Sequence, residues 1–240
     1  MEEKRLLSLV RKALDQYSMI NENETVAIGI SGGKDSLTLL YALAKLKNFY
    51  PEKFDVLAVT VDLGWKDFDT SKIKEFCDRL NVEYHVVKTD IYNIIFNERK
   101  EENPCSLCAK MRKGAMNTYL VERGIKKIAY AHHMDDVVET MMMSLIYEGR
   151  LNTFSPVTYL EDSDISVIRP LINVTESEVK GFVNKYDLPV MKSSCPVDRL
   201  TKRESVKELV NSINRNNPGA KKRMYTAVKN SYLEGWNKNA

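Results

Sequence analysis

The sequence has no apolar run approaching the ~20 residues of a membrane-crossing helix, so none is expected. Its opening residues, Met1-Glu2-Glu3-Lys4-Arg5, lack the apolar core of a signal peptide, and a cytoplasmic location follows as the expectation. Cysteine is scarce at four residues, and in a cytoplasmic protein these read as metal ligands or catalytic thiols before disulfides. No internal repeat and no low-complexity linker interrupts the chain. What is there is a soluble, globular composition, 43% apolar and 29% charged, in 240 residues. That length holds one large domain, or one domain with an appendage.

Net charge is also small, at +3, but it is unevenly placed. From Arg199 to Ala240 the chain carries ten lysines and arginines against Glu204, Glu208 and Glu234. A basic surface of that kind suits a polyanion such as RNA. A solvated basic helix would look the same, and charge alone does not separate the two.

The most informative segment is Ser31-Gly32-Gly33-Lys34-Asp35-Ser36. It follows an apolar run from Thr25 to Ile30 and opens a helical pattern of Leu37, Leu39, Leu40, Leu43 and Leu46. Strand, glycine turn and helix start together make a phosphate site. Glycine lets the backbone approach the anion, and the unpaired amides of the helix start point at it. The serines add hydroxyl donors and Lys34 a positive charge. A Walker A loop is excluded: it needs four residues between its first glycine and the Gly-Lys pair, followed by Ser or Thr. Here three residues separate Gly29 from Gly33, and Asp35 follows the lysine.

The rest of the pattern alternates. Residues 1–20 read as an amphipathic helix on Leu6, Leu7, Leu9, Val10, Leu14 and Tyr17. Further strands are expected at 56–61, 83–87, 127–131 and 166–171, with helices between them. Thr175, with Glu178 three residues on, reads as a capping box. The expectation is an α/β fold: an open, mainly parallel, five-stranded Rossmann-like sheet with helices on both faces and a helical, basic C-terminal segment. Three parts are expected: an N-terminal helix over 1–20, a nucleotide domain over 21–198 that contains an inserted Cys-x-x-Cys segment, and a basic tail over 199–240. In such a sheet the loop at 31–36, Asp62 after the second strand, Thr89-Asp90 after the third and His132–Asp136 after the fourth share one edge, where ligands bind.

Cys105 and Cys108 are spaced so that two thiolates can converge on one metal or cluster. Cys195 is followed by proline, as in ferredoxin-type cluster motifs. Three thiolates around a [4Fe-4S] cluster leave one iron open for an outside ligand such as sulfur, and a zinc site of three Cys and one His uses the same donors. Cys77 lies in an apolar helical pattern and reads as a buried structural thiol.

The loop resembles the PP-loop, SGGxDS, of the adenine nucleotide alpha-hydrolase-like superfamily. Several further segments make the resemblance specific: Pro104-Cys105-Ser106-Leu107-Cys108-Ala109-Lys110-Met111-Arg112-Lys113-Gly114, Ala131-His132-His133-Met134-Asp135-Asp136, Arg169-Pro170-Leu171, Cys195-Pro196 and Pro218-Gly219-Ala220-Lys221-Lys222-Arg223. Together they resemble the tRNA 2-thiocytidine synthetase family over roughly residues 20–232. The zinc-ribbon cysteines that mark the related 2-thiouridine enzymes of position 54 are missing.

The resemblance implies an ATP-dependent tRNA sulfurtransferase that splits ATP to AMP and pyrophosphate. Its cofactors would be Mg2+ and a [4Fe-4S] cluster on Cys105, Cys108 and Cys195, and its partners tRNA, a sulfur donor (a cysteine desulfurase or inorganic sulfide) and a second copy of the chain. Ser31, Gly32, Gly33 and Ser36 would cradle pyrophosphate, and Lys34 would stabilise charge on the reacting phosphate. Asp35 or Asp136 would hold Mg2+. Ala58, Val59 and Val61 would flank the adenine, with Asp62, Ala131 and His132 beside the nucleotide; His132 could also move a proton, and Cys195 joins the catalytic set. Lys110, Arg112 and Lys113 would steer tRNA phosphate. Two alternatives stand beside this: a sulfur-independent PP-loop tRNA-modifying ligase, and an ATP- and RNA-binding regulator with a structural zinc site.

Overall fold

The computed structural model describes residues 1–65, 68–99, 104–191 and 202–236. Six strands form one sheet: β1 (Glu24–Gly29), β2 (Phe54–Asp62), β3 (Glu83–Lys88), β4 (Lys127–Ala129), β5 (Val157–Leu160) and β6 (Ile165–Ile168), in the order β3-β2-β1-β4-β6-β5. Five are parallel. The sixth, β5, pairs antiparallel with β6 at the edge. The sequence reading missed it because its four residues, Val-Thr-Tyr-Leu, are half-exposed and leave too short a pattern to read.

Alternation along β1 explains the two layers. Val26 and Ile28 face one core, and Ala27 faces the other. The first core is filled by α1 (Glu3–Gln16), α2 (Lys34–Leu46), α3 (Ser71–Arg79), α5 (Met134–Glu148) and α6 (Glu176–Tyr186). The second is closed by α4 (Pro104–Glu122), which contributes Met116 and Leu120, and by a π-helical turn over Asn93–Glu98 that contributes Ile95. The tail helices, α7 (Lys202–Asn216) and α8 (Ala220–Lys229), bury Val206, Val210, Tyr225 and Val228 in the first core. The N-terminal helix and the tail thus share one core with the nucleotide-type sheet. Cys77 sits fully buried in that core, and burial pushes its thiol up to about 12, as a structural thiol requires.

The strand order runs outward from β1 and β4 in opposite directions. Such a switch point opens a crevice at the carboxyl ends of those two strands. Two segments that the sequence singled out, 31–36 and 132–136, leave the sheet there.

Candidate active site

The phosphate loop is built by hydrogen bonds among its own residues. Gly33 is the N-cap of α2, with the helix starting at Lys34. Ser36 Oγ donates to the Gly33 carbonyl (3.0 Å) and accepts from the Ser31 amide (3.3 Å); Ser31 Oγ accepts from the Gly33 amide (3.3 Å). The turn is made at Gly32, whose φ of +78° lies in the left-handed region. Met191 closes over Gly32: its amide donates to the Gly32 carbonyl at 2.9 Å, and a Cβ on Gly32 would meet Met191 Cβ at 3.2 Å. Met191 is the last described residue before the segment that holds Cys195, which lies outside the described residues together with its expected ligand role.

Charges are paired around Lys34. Its Nζ contacts Asp35 Oδ2 at 2.9 Å and Glu176 Oε1 at 3.3 Å. Burial alone would lower the ammonium, but the two carboxylates together hold it above its ordinary value. Glu176, the first residue of α6, also meets Lys207 (2.9 Å) and Lys180 (3.2 Å). Burial pushes its carboxyl up, yet Lys207, Lys34 and Lys180 outweigh that and hold it down at about 2.

The second segment reaches the loop through His133. Its side chain accepts from the Asp136 amide (3.3 Å) while Asp136 Oδ2 accepts from the His133 amide (2.8 Å), a reciprocal cap that starts α5. His133 Nε2 lies 3.6 Å from Asp35 Oδ1. That Asp35 oxygen is buried and has no hydrogen-bond partner among the described residues. A lone buried carboxylate oxygen beside a phosphate cradle suits Mg2+, which takes one or two carboxylates and fills the rest with phosphate and water. Asp136 is engaged on both oxygens, by the His133 amide and by Arg203 at 3.2 Å. Asp135 is a tie rod: it accepts from the Glu176 amide (2.7 Å) and from Lys221 (2.7 Å), linking α5, α6 and α8.

The remaining candidates lie deeper. Val59 and Val61 are buried in the second core. Asp62 Oδ1 accepts from the Gly64 amide at 2.9 Å, so it shapes the loop after β2. Ala131 and His132 follow β4 and are half-buried. Burial first, then the Arg169 charge, holds His132 down at about 4, so its ring is neutral near pH 7; its Nδ1 has no partner among the described residues. Arg169 is also buried, donating to the Ser155 carbonyl (2.6 Å) and lying over the Phe154 ring.

Cys105 and Cys108 occupy the first turn of α4, Cys105 exposed and Cys108 half-buried. Residues three apart on a helix share one face, so the pair presents two thiols together. The described residues hold no cluster of three or more metal-ligating side chains, and the third expected thiol, Cys195, lies outside them. The donor set therefore fits two ligands of a cluster or zinc site. The same helix then crosses the phosphate strand. A Cβ at Gly29 would meet Tyr130 Cε1 at 2.7 Å and Met116 Cε at 3.9 Å, so the glycine lets Tyr130 and α4 close over β1. Burial raises the Tyr130 phenol, and the charges of Arg112 and Arg169 partly offset it.

Glu176, His133 and Arg203 were not singled out as site residues from sequence. No motif marks Glu176 or Arg203. His133 had a signal, its place at an N-cap three residues before Asp136.

The sheet, the loop and its helix define a PP-loop protein, and the model of the PP-loop domain matches residues 3–213. The chain is 34% identical over 229 residues to the tRNA-cytidine(32) 2-sulfurtransferase of Citrifermentans bemidjiense, covering 94% of this chain and 90% of that one. It is 32% identical over 230 residues to the enzyme of that name from Geobacter sulfurreducens, covering 95% and 90%. Among solved structures it resembles the U34-tRNA thiolase NcsA from Methanococcus maripaludis, determined with its [4Fe-4S] cluster: TM-score 0.78, 28% identity, 93% of this chain and 76% of that one. An NH3-dependent NAD synthetase from Campylobacter jejuni shares the fold at TM-score 0.53 and 15% identity, over 94% and 93%. The chain belongs to the family of tRNA-cytidine(32) 2-sulfurtransferases.

Proposed function

We propose that this chain uses ATP to replace the C2 oxygen of a tRNA cytidine with sulfur, with Cys105, Cys108 and Cys195 holding a [4Fe-4S] cluster. The observation that carries the reading is the crossing at Gly29. The helix that begins with Cys105 and Cys108 brings Met116, beside Tyr130 from the end of β4, onto the strand that delivers the phosphate loop. A sulfur site and an ATP site on one rigid crossing suit a reaction that needs both in turn.

The chain's own residues then divide the work. The amides of Ser31, Gly32 and Gly33, with the Ser36 hydroxyl, hold the β and γ phosphates at the start of α2 by exchanging the loop's own bonds of 3.0–3.3 Å for phosphate oxygens. Asp35 Oδ1, buried and without a hydrogen-bond partner among the described residues, would hold Mg2+. Lys34, kept charged by Asp35 and Glu176, stabilises charge on the α phosphate as the cytidine oxygen attacks it. The products are pyrophosphate and an O-adenylated base, from which AMP leaves when sulfur enters C2. Cys105, Cys108 and Cys195 would hold a [4Fe-4S] cluster, which would supply an iron able to carry the incoming sulfur. Arg112 sits one turn beyond Cys108 on α4 and steers the tRNA backbone towards this crossing. The neutral His132 is suited to accepting a hydrogen bond rather than to carrying charge.

The test is anaerobic purification followed by iron, sulfide and zinc assay, together with mass spectrometry of tRNA nucleosides from cells with and without the gene. Labile sulfide with about four irons per chain, and loss of 2-thiocytidine without the gene, are expected. One zinc and no sulfide would reject the cluster; unchanged 2-thiocytidine would reject the substrate. Cys105→Ser, Cys108→Ser and Cys195→Ser each lose the cluster and thiolation while ATP binding persists.

A further inference from the structure

We infer that Trp65, Tyr92 and Phe96 form a stacking platform for an unpaired base of the RNA substrate, an inference that rests on the tRNA reading above. The three rings lie at the carboxyl edge of the sheet, on the segments that follow β2 and β3. Trp65 and Tyr92 have centroids 4.3 Å apart with planes tilted by 36°, and Phe96 lies 5.1 Å from Tyr92 and 6.1 Å from Trp65. All three are half-buried, whereas the ring of Phe182 in the main core is fully enclosed.

The arrangement is built rather than incidental. Gly64 adopts a φ of +85°, and a Cβ there would meet the Thr89 carbonyl at 3.0 Å. Glycine therefore lets the loop after β2 approach the loop after β3. Asp62 Oδ1 fixes the Gly64 amide, and the Tyr92 amide donates to the Leu63 carbonyl at 2.8 Å. These bonds bring Trp65 against Tyr92. Phe96 is presented from a π-helical turn, Asn93–Glu98, a costly local geometry that is common at functional sites.

The surroundings select the ligand. Phe96 packs on the same apolar cluster as Leu107 and Cys108, and its π-helical turn touches α4, the helix that opens with the Cys pair. Arg99, Lys110 and Lys113 are exposed on the flanking segments, while the exposed carboxylates of Asp90 and Glu98 accept from the Asn93 side-chain Nδ2. Aromatic faces beside exposed cations fit an unstacked base with its phosphates, and each stacked base contributes roughly 1–3 kcal/mol to single-strand binding.

The chain's two tryptophans make the test direct. Trp236 is buried and donates its indole N–H to the Phe154 carbonyl at 3.1 Å, so it serves as the silent reference. The full, anaerobically prepared protein is titrated with an anticodon stem–loop RNA, with a blunt RNA duplex and with a non-hydrolysable ATP analogue, while tryptophan emission and filter binding are followed. The stem–loop is expected to quench emission in the native chain and in Trp236→Phe but not in Trp65→Phe, and the duplex is expected to leave it unchanged. Trp65→Ala should raise the stem–loop Kd by roughly 5- to 150-fold with ATP-analogue affinity preserved. Stem–loop binding without any change in Trp65 emission would overturn the platform and leave the tRNA reading intact. Full quenching by the ATP analogue alone would assign the rings to adenine instead. Failure to bind any RNA would remove both proposals. The quenching arm uses an intact Trp65, so it stands even if Trp65→Ala fails to fold.

Discussion

Lys34 and Lys207 share a single carboxylate oxygen, Oε1 of Glu176, at 3.3 and 2.9 Å. One lysine belongs to the phosphate loop and the other to the C-terminal basic tail. Glu176 thereby ties the cation of the proposed ATP site to the helix that closes the fold behind it. Its carboxyl stays ionised in the folded protein down to about 2, against an ordinary value of 4.5.

A pH-dependent stability follows. A carboxyl lowered on folding contributes stability above its unfolded value, and that contribution is lost as pH falls through the folded value. Glu176→Gln is expected to cost about 1–3 kcal/mol at pH 7, as for a buried acceptor removed from charged donors. The gap between the native chain and the variant should narrow below about pH 4.5 and close near pH 2. Urea midpoints at pH 7, 4 and 3 measure it. An equal gap at pH 7 and pH 3 would show that the ion pairs contribute nothing.

The two glycines of the loop separate strain from chemistry. Gly32→Ala forces a side chain into the left-handed region and against Met191, so a loss of about 1–2 kcal/mol is expected, or roughly 3–6 °C in Tm. Gly33 has φ −77° and ψ 161°, where alanine is at ease, and its added carbon would meet the Ser31 hydroxyl at 3.3 Å. Gly33→Ala is therefore expected to shift Tm by less than roughly 2 °C. Both variants should lose tRNA-dependent pyrophosphate release, because the proposed cradle needs the bare backbone at both positions. Retained release in Gly33→Ala would move the phosphates away from that amide.

Lys34→Gln tests the electrostatic role. Removing a preorganised charge that acts on the reacting group typically lowers turnover by about 10²–10³-fold. The loss is expected in kcat for pyrophosphate release, with the KM for ATP changed far less. A rise in KM alone would make Lys34 a ground-state binder.

The parallel sheet, the phosphate turn and the Thr175 cap were legible because each rests on local sequence: apolar runs, a glycine that must turn, a hydroxyl three residues before an acid. The edge strand β5 was not, since four half-exposed residues leave no period to read. Glu176 and Arg203 were hidden for another reason. Their partners, Lys34 and Asp136, lie 142 and 67 positions away along the chain, and only the folded topology brings them together. The basic tail was half legible. Its charge was evident, but Arg203, Lys207 and Lys221 turn inward to Asp136, Glu176 and Asp135, so those three charges hold the tail to the first turns of α5 and α6.

The neighbours Lys221 and Lys222 carry that division to a single step of the chain. Lys221 Nζ donates to the buried Asp135 at 2.7 Å and to Asn211 at 2.9 Å, while Lys222 is exposed. Lys221→Ala leaves Asp135 without its cation, and removing one partner of a buried pair costs about 3–5 kcal/mol. A Tm loss of roughly 6–15 °C is expected. The logarithmic dependence of tRNA binding on salt should be unchanged, since this lysine meets no phosphate. Lys222→Ala should do the reverse, with Tm preserved and a salt slope shallower by about one. Differential scanning fluorimetry and filter binding from 50 to about 200 mM salt read both effects. Equal slopes in the native chain and in Lys222→Ala would take the exposed face of α8 out of the RNA interface and leave the tail's role wholly structural.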